Sequence, residues 1–129
     1  MYSSPPTYCG LYLLVTRILQ VSNDKSLLFT REMLLRERGY DVTSALGVSE
    51  GLKQCTAKFD LLIVGHSMPY EEKRTLVTAF RARNSSPVLA LHRENEGKLD
   101  GADFEVPPDP QVVLSAVASL TGSQDANAS

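Results

Sequence analysis

Tryptophan is absent, cysteine occurs twice (Cys9 and Cys55), and neither sign of charge dominates, with 13 Lys plus Arg against 15 Asp plus Glu for a formal net charge of -2. Each scarcity excludes something. Two cysteines build no disulfide framework, so a reducing, cytoplasmic setting is the simpler expectation. Near-balanced charge argues against a strongly basic nucleic-acid binder. With no Trp, five Tyr and four Phe, an aromatic-rich stacking surface is not expected. No apolar run approaches the ~20 residues that span a bilayer; the longest early one, Leu11 to Val15, stops at Thr16 and Arg17. Residues Met1 to Gly10 carry no Lys or Arg, so the charged start of a secretory signal is missing. There is no internal repeat, and no GxGxxG, GxxxxGKS/T, HExxH or paired CxxC motif, which removes the common nucleotide and zinc signatures. What is left is 129 residues, 43% hydrophobic and 22% charged, the composition of one ordinary soluble domain. A chain of this length buries roughly two-thirds of its unfolded surface without a metal or disulfide.

The pattern along the chain alternates between two periods. Residues 1 to 10, with two prolines, read as a loose arm. Ile18 to Val21 is β-like, and Ser22-Asn23-Asp24 follows with Asp24 as the expected N-cap. From Lys25 to Arg38, Leu27, Leu28, Met33, Leu34 and Leu35 fit an amphipathic helix that Gly39 ends. Tyr40 to Ala45 is a second strand, Ser49 to Ala57 a short helix, and Asp60 to Val64 a strand apolar on both faces, as buried parallel sheets require. A loop from Gly65 to Pro69 leads into a helix over Glu71 to Arg83 with Leu76, Val77 and Phe80 inward. Pro87 to Leu91 is another buried strand. His92 to Asp100, dominated by charged residues, makes at best a short, poor helix. Ala102 to Val106 is a short strand, Asp109-Pro110 starts a last helix to about Leu120, and a polar tail follows that is expected to be disordered. Five alternations imply right-handed βαβ crossovers and a parallel sheet covered on both faces. Chemistry in such sheets sits beyond the carboxyl ends of the strands.

Ile18 to Val21 with its polar triplet, Leu34 to Tyr40, Asp60 to Val64, Met68-Pro69, Pro87 to Leu91, Gly101-Ala-Asp and Pro108 recur in an order that resembles the receiver domain of two-component response regulators, over about residues 17 to 121. The resemblance implies an α/β, flavodoxin-like (CheY-like), doubly wound five-stranded sheet of order 2-1-3-4-5. It divides the chain into an N-terminal extension (1–16), a receiver-like domain (17–121) and a polar tail (122–129). The stretch between His92 and Pro107 is too short for a full crossover helix, so the fourth helix is expected to be shortened or missing.

In that family an Asp after strand 3 takes a phosphoryl group, two acids after strand 1 hold Mg²⁺, and a Ser or Thr and a Lys grip the phosphoryl oxygens. Carried over one at a time, the acceptor position falls on Gly65. The acids fall on Ser22 and Asn23, the Ser/Thr position on His92, and the Lys position on Pro107. All five are substituted. Asp24 and Pro108 are retained nearby. Asp60 begins the same strand but lies about 16 Å from its loop end, and Ser67 has no evident base. The expectation is a stand-alone, non-phosphorylatable receiver-like protein. It would be no enzyme, need no cofactor or metal, and act by protein–protein interaction in two-component signalling. Its partner would be a histidine kinase, another regulator or a second copy, with no role for nucleic acid or membrane.

The alternative is a small-ligand, anion or metal sensor using the altered pocket around Gly65, His66 and His92; against it stands the ordinary case of two solvent-facing loop histidines. The last helix has no charged residue, so Phe104, Val113, Val117 and Leu120 form a candidate partner face for a dimer made through this helix or the N-terminal extension. The competing reading is a tolerated exposed face of small residues. Pro107-Pro108 sits where the family has a cis X–Pro bond, and cis is compatible with the sequence.

Overall fold

The computed structural model describes residues 15–92, 99 and 101–122. Five parallel strands run in the order β2-β1-β3-β4-β5: β1 (Arg17–Ser22), β2 (Asp41–Leu46), β3 (Leu61–Val64), β4 (Val88–Leu91) and β5 (Phe104–Val106). Four helices connect or follow them among the described residues: α1 (Lys25–Glu37), α2 (Val48–Gln54), α3 (Tyr70–Arg83) and α4 (Pro110–Thr121). This is the strand order that the receiver resemblance implies, and the parallel, doubly covered sheet that the alternation of periods predicts. The described residues between β4 and β5 contain no helix; residues 93–98 and 100, most of the expected poor helix, lie outside them, as do the expected arm (1–14) and most of the tail (123–129).

Side-chain alternation in the central strands divides the core into two layers. Leu19, Val21, Leu62, Val64, Val88 and Ala90 face α2 and α3, where Leu76, Val77 and Phe80 meet them. Ile18, Leu61, Ile63, Leu89 and Leu91 face α1 and α4, where Leu35, Val113, Leu114 and Val117 meet them. Strands buried on both sides have no polar face to show, hence the unbroken LLIV and VLAL runs.

Local signals act as the sequence suggests. The Asp24 side chain accepts from the Leu27 N–H at 3.1 Å and caps α1. Gly39, at φ 94°, closes the same helix: its N–H donates to the Arg36 carbonyl and the Tyr40 N–H reaches back to the Leu35 carbonyl, a Schellman pattern. Asp109 caps α4 through the Gln111 and Val112 N–H groups. α2 ends at Gln54 rather than Ala57, because the Cys55 N–H still reaches Gly51 while the next residues turn toward β3.

One expectation is corrected, and one open question is answered. Val113 and Val117 do not form an outer face of α4; they are 2% and 0% exposed and pack on the sheet, while Ser115 and Ser119 face out. Leu120 is half-buried against the same layer, and Phe104 alone of the four is largely exposed, at 56%. An uncharged helix is explained by its serines, small enough and polar enough to meet water. Pro107-Pro108 is trans: the described residues contain no cis peptide bond.

One buried polar cluster crosses between β1, α1 and β2. Gln20, fully buried, donates to the Leu28 carbonyl (2.9 Å) and the Ser44 hydroxyl (2.7 Å) and accepts from Arg31 (3.2 Å). The Ser44 hydroxyl in turn donates to the Glu32 carboxylate (2.7 Å), which also pairs with Arg36 (2.9 Å). The Ser44 hydroxyl, and after it the Arg36 guanidinium, hold the Glu32 carboxyl below its ordinary range. A depressed carboxyl stabilises the fold above its unfolded pKa, and that contribution is lost as pH falls through the folded value. Glu32→Gln is therefore expected to destabilise the domain at pH 7 by less than about 1 kcal/mol, the pair being partly solvated. Urea melts should show the difference begin to shrink as pH falls through the ordinary glutamate value, about 4.3, and vanish only below the lowered folded value.

Candidate functional site

The carboxyl ends of β1, β3 and β4 converge on one edge of the sheet, and the substituted positions lie there. Gly65 follows β3 directly, its N–H bonded to the Val21 carbonyl at 2.8 Å. A Cβ added at Gly65 would stand 2.8 Å from Ser22 Cβ, 2.9 Å from Ser22 Oγ and 3.1 Å from the Val21 carbonyl oxygen. The place where a side chain would begin is thus occupied. Ser22, 1% exposed, fills it and is anchored there: its hydroxyl meets Ser67 Oγ at 3.1 Å and accepts from the Asp24 N–H at 3.1 Å. Ser67 Oγ in turn accepts from the Asn23 N–H at 3.3 Å, tying the β1 loop to the β3 loop. Asn23 extends toward α3, its amide 3.4 Å from Glu72.

The remaining acid is committed elsewhere. Asp24 spends a carboxylate oxygen on the α1 cap and lies near Arg31, whose guanidinium pKa is lowered by burial and raised in part by that carboxylate. Asp60 sits at the opposite end of β3, accepting from the Arg17 N–H at 2.8 Å. A divalent cation of the kind the receiver resemblance implies needs hard anionic oxygens. Ser22, Asn23 and Gly65 supply none, so the residues present do not fit it. Among the described residues no group of three or more His, Cys, Asp or Glu could hold a metal ion. Cys55 is buried, and burial pushes its thiol pKa up, away from reactive thiolate.

The two histidines do different things. His66 stays half-buried in the β3–α3 loop. His92, at the end of β4, bonds through its N–H to the Val106 carbonyl, and its Nδ1 lies 2.7 Å from Glu105 Oε1, close but out of line for a hydrogen bond. Glu105 Oε2 accepts from the Leu99 N–H at 3.0 Å. Beside them the α3 side chain Lys73, 6% exposed, points its ammonium at the Leu91 carbonyl, 3.4 Å away. Pro107 is exposed and Pro108 half-buried. Sequence reasoning missed Lys73 and Glu105. A lone Lys within a helix and a Glu in a three-residue edge strand carry no spacing signal; only the fold puts them beside His92.

The described residues contain no helix long and apolar enough to cross a membrane. No protein-family model matches the sequence, and no curated protein does. Solved structures do. A CheY-like response regulator receiver domain protein from Methanospirillum hungatei JF-1 superposes with a TM-score of 0.71 at 23% identity, covering 88% of this chain and 98% of its own. The N-terminal domain of a response regulator/sensory box/GGDEF 3-domain protein from Carboxydothermus hydrogenoformans gives 0.72 at 20% identity, with 88% and 100% covered. A chemotaxis response regulator of Vibrio cholerae gives 0.68 at 25% identity, with 82% and 98% covered. The chain has the fold of CheY-like response regulator receiver domains.

Proposed function

We propose that this chain works as a receiver-fold interaction module in two-component-type signalling, one that carries no phosphoryl group on its β3 loop and catalyses no reaction. The observation that carries this reading is the contact between Gly65 and Ser22: the acceptor position has neither a carboxylate nor the volume for one. A hydroxyl pair without a base does not replace it. State would then be set by partner binding or abundance. The partner is a protein, either a histidine kinase, another regulator or a second copy. Exposed apolar side chains support it on two sides: Phe29 (65% exposed) and Met33 (48%) on α1, and Phe104 on β5. Function by contact within the cytoplasm needs neither nucleic acid nor membrane.

Acetyl phosphate, or beryllofluoride with Mg²⁺, is expected to leave the amide NMR resonances of Gly65 and its neighbours unshifted and the intact mass unchanged. A hydroxylamine-labile phosphoryl adduct after incubation with a histidine kinase would overturn the reading.

A further inference from the structure

We propose that the outer edge of β2 pairs with the same edge of a second copy of this chain, antiparallel about Ala45, so that the two sheets run on as one. The proposal rests on the reading of the chain as an interaction module and names the second copy as its partner. β2 ends the sheet on one side. The Asp41 and Gly47 N–H groups donate to the Thr16 and Ser22 carbonyls, so Asp41, Thr43 and Ala45 turn their backbone groups toward β1. Alternate residues of a parallel strand face opposite ways, and Ser44 and Leu46 therefore direct their N–H and C=O groups outward. Among the described residues nothing meets those groups. One outward group is closed: the Val42 carbonyl accepts from Arg36 at 2.7 Å. Beyond it, Thr43 to Leu46 holds neither the charge nor the proline that keeps a second strand off an edge.

The flanks of this edge match themselves across a two-fold axis. Glu32 meets Ser44 and Arg36 meets Val42, so α1 runs antiparallel to β2. Phe29, three residues before Glu32, stands about 4.5 Å nearer the carboxyl end of β2. Leu46, two residues past Ser44 on the same face, stands about 6.6 Å in that direction. They are 65% and 47% exposed, two large apolar side chains beside an open edge. Pairing about Ala45 lets Ser44 of each copy exchange its N–H and C=O with Leu46 of the other and stops short of the carbonyl that Arg36 holds. It also sets Phe29 near the axis, where both copies' Phe29 and Leu46 side chains leave water together. Charge agrees: Lys25, exposed and without an ion pair among the described residues, comes alongside Glu32 of the second copy. This reciprocity favours a second copy over an unrelated strand.

Sedimentation equilibrium of the full chain is expected to show a monomer–dimer equilibrium with a dissociation constant on the order of 100 μM or tighter. Leu46→Lys, which puts a charge on the edge, should weaken it at least about tenfold. Phe104→Ser, on the opposite edge strand, should leave it unchanged. Amide hydrogen exchange gives a second readout: raising the concentration from about 10 to about 500 μM should slow exchange at Ser44 and Leu46 and leave Thr43 and Ala45, already bonded to β1, as they were. A monomer at about 500 μM, a dimer indifferent to Leu46→Lys, or one without that alternation of protection would each overturn the proposal. The alternation decides the matter even where Leu46→Lys fails to fold. A monomer would exclude the second copy and leave a kinase or another regulator as partner, whereas a labile phosphoryl adduct would overturn the function proposed above without touching this edge.

Discussion

Gly65→Asp is expected to destabilise the domain by about 2–3 kcal/mol and still to gain no phosphoryl group from acetyl phosphate. The reason is steric before it is chemical. A Cβ at this position would enter within 2.8 Å of Ser22 Cβ and 3.1 Å of a backbone carbonyl, distances that force something to move. Ser22 cannot easily yield, because its hydroxyl joins Ser67 and the Asp24 N–H. Beyond the Cβ, the carboxylate would enter a region with no acid pair to share a cation and no lysine after β5 to meet it. Thermal denaturation should report a fall in Tm of about 10 °C. A variant as stable as the parent that gains a labile phosphoryl adduct would show that the pocket is merely missing its nucleophile. Replacing Ser22 by Gly in the same background should recover part of the lost stability, since it removes the atoms that the new Cβ meets.

The second large effect lies in the buried polar cluster between β1, α1 and β2. Gln20 and Arg31 are 0% and 8% exposed and hydrogen-bonded at 3.2 Å. Gln20→Leu leaves a mostly buried guanidinium without its acceptor and Ser44 without its amide donor. Arg31→Met leaves the Gln20 oxygen buried without a donor. Each single change is expected to cost about 2 kcal/mol or more, because a stranded buried polar group loses its full solvation. The double variant should cost about 1–2 kcal/mol less than the sum. Strict additivity in chemical denaturation would mean that the two side chains are energetically independent and the cluster is incidental.

Much of this was readable before any coordinates. The strands declared themselves because parallel strands covered on both faces must be apolar throughout, and LLIV and VLAL are. Asp24, Gly39 and Asp109 marked helix ends because capping is a local reaction between neighbouring groups. The residues standing where the receiver resemblance places a phosphorylation site were also legible, since a substitution is visible letter by letter. What escaped was anything set by distance across the fold. Nothing in Gly65 or Ser22 alone says that one fills the space the other vacates. The inward direction of Val113 and Val117 depends on how α4 rolls against the sheet, and its uncharged surface hid which side was which. Lys73, Glu105 and Leu99 come from three separate segments and meet only once β5 pairs with β4.

The uncharged corner formed by Ser22, Asn23, Gly65 and Ser67 also changes how the chain copes with scarcity of metal. A receiver of the usual kind gathers several carboxylates at one point, and their mutual repulsion must be carried by the fold whenever no cation is at hand. Here hydroxyls, an amide and a bare backbone stand in that place, with the Ser22–Ser67 contact knitting two loops that carboxylates would drive apart. Magnesium depletion should therefore leave this domain's folding equilibrium untouched.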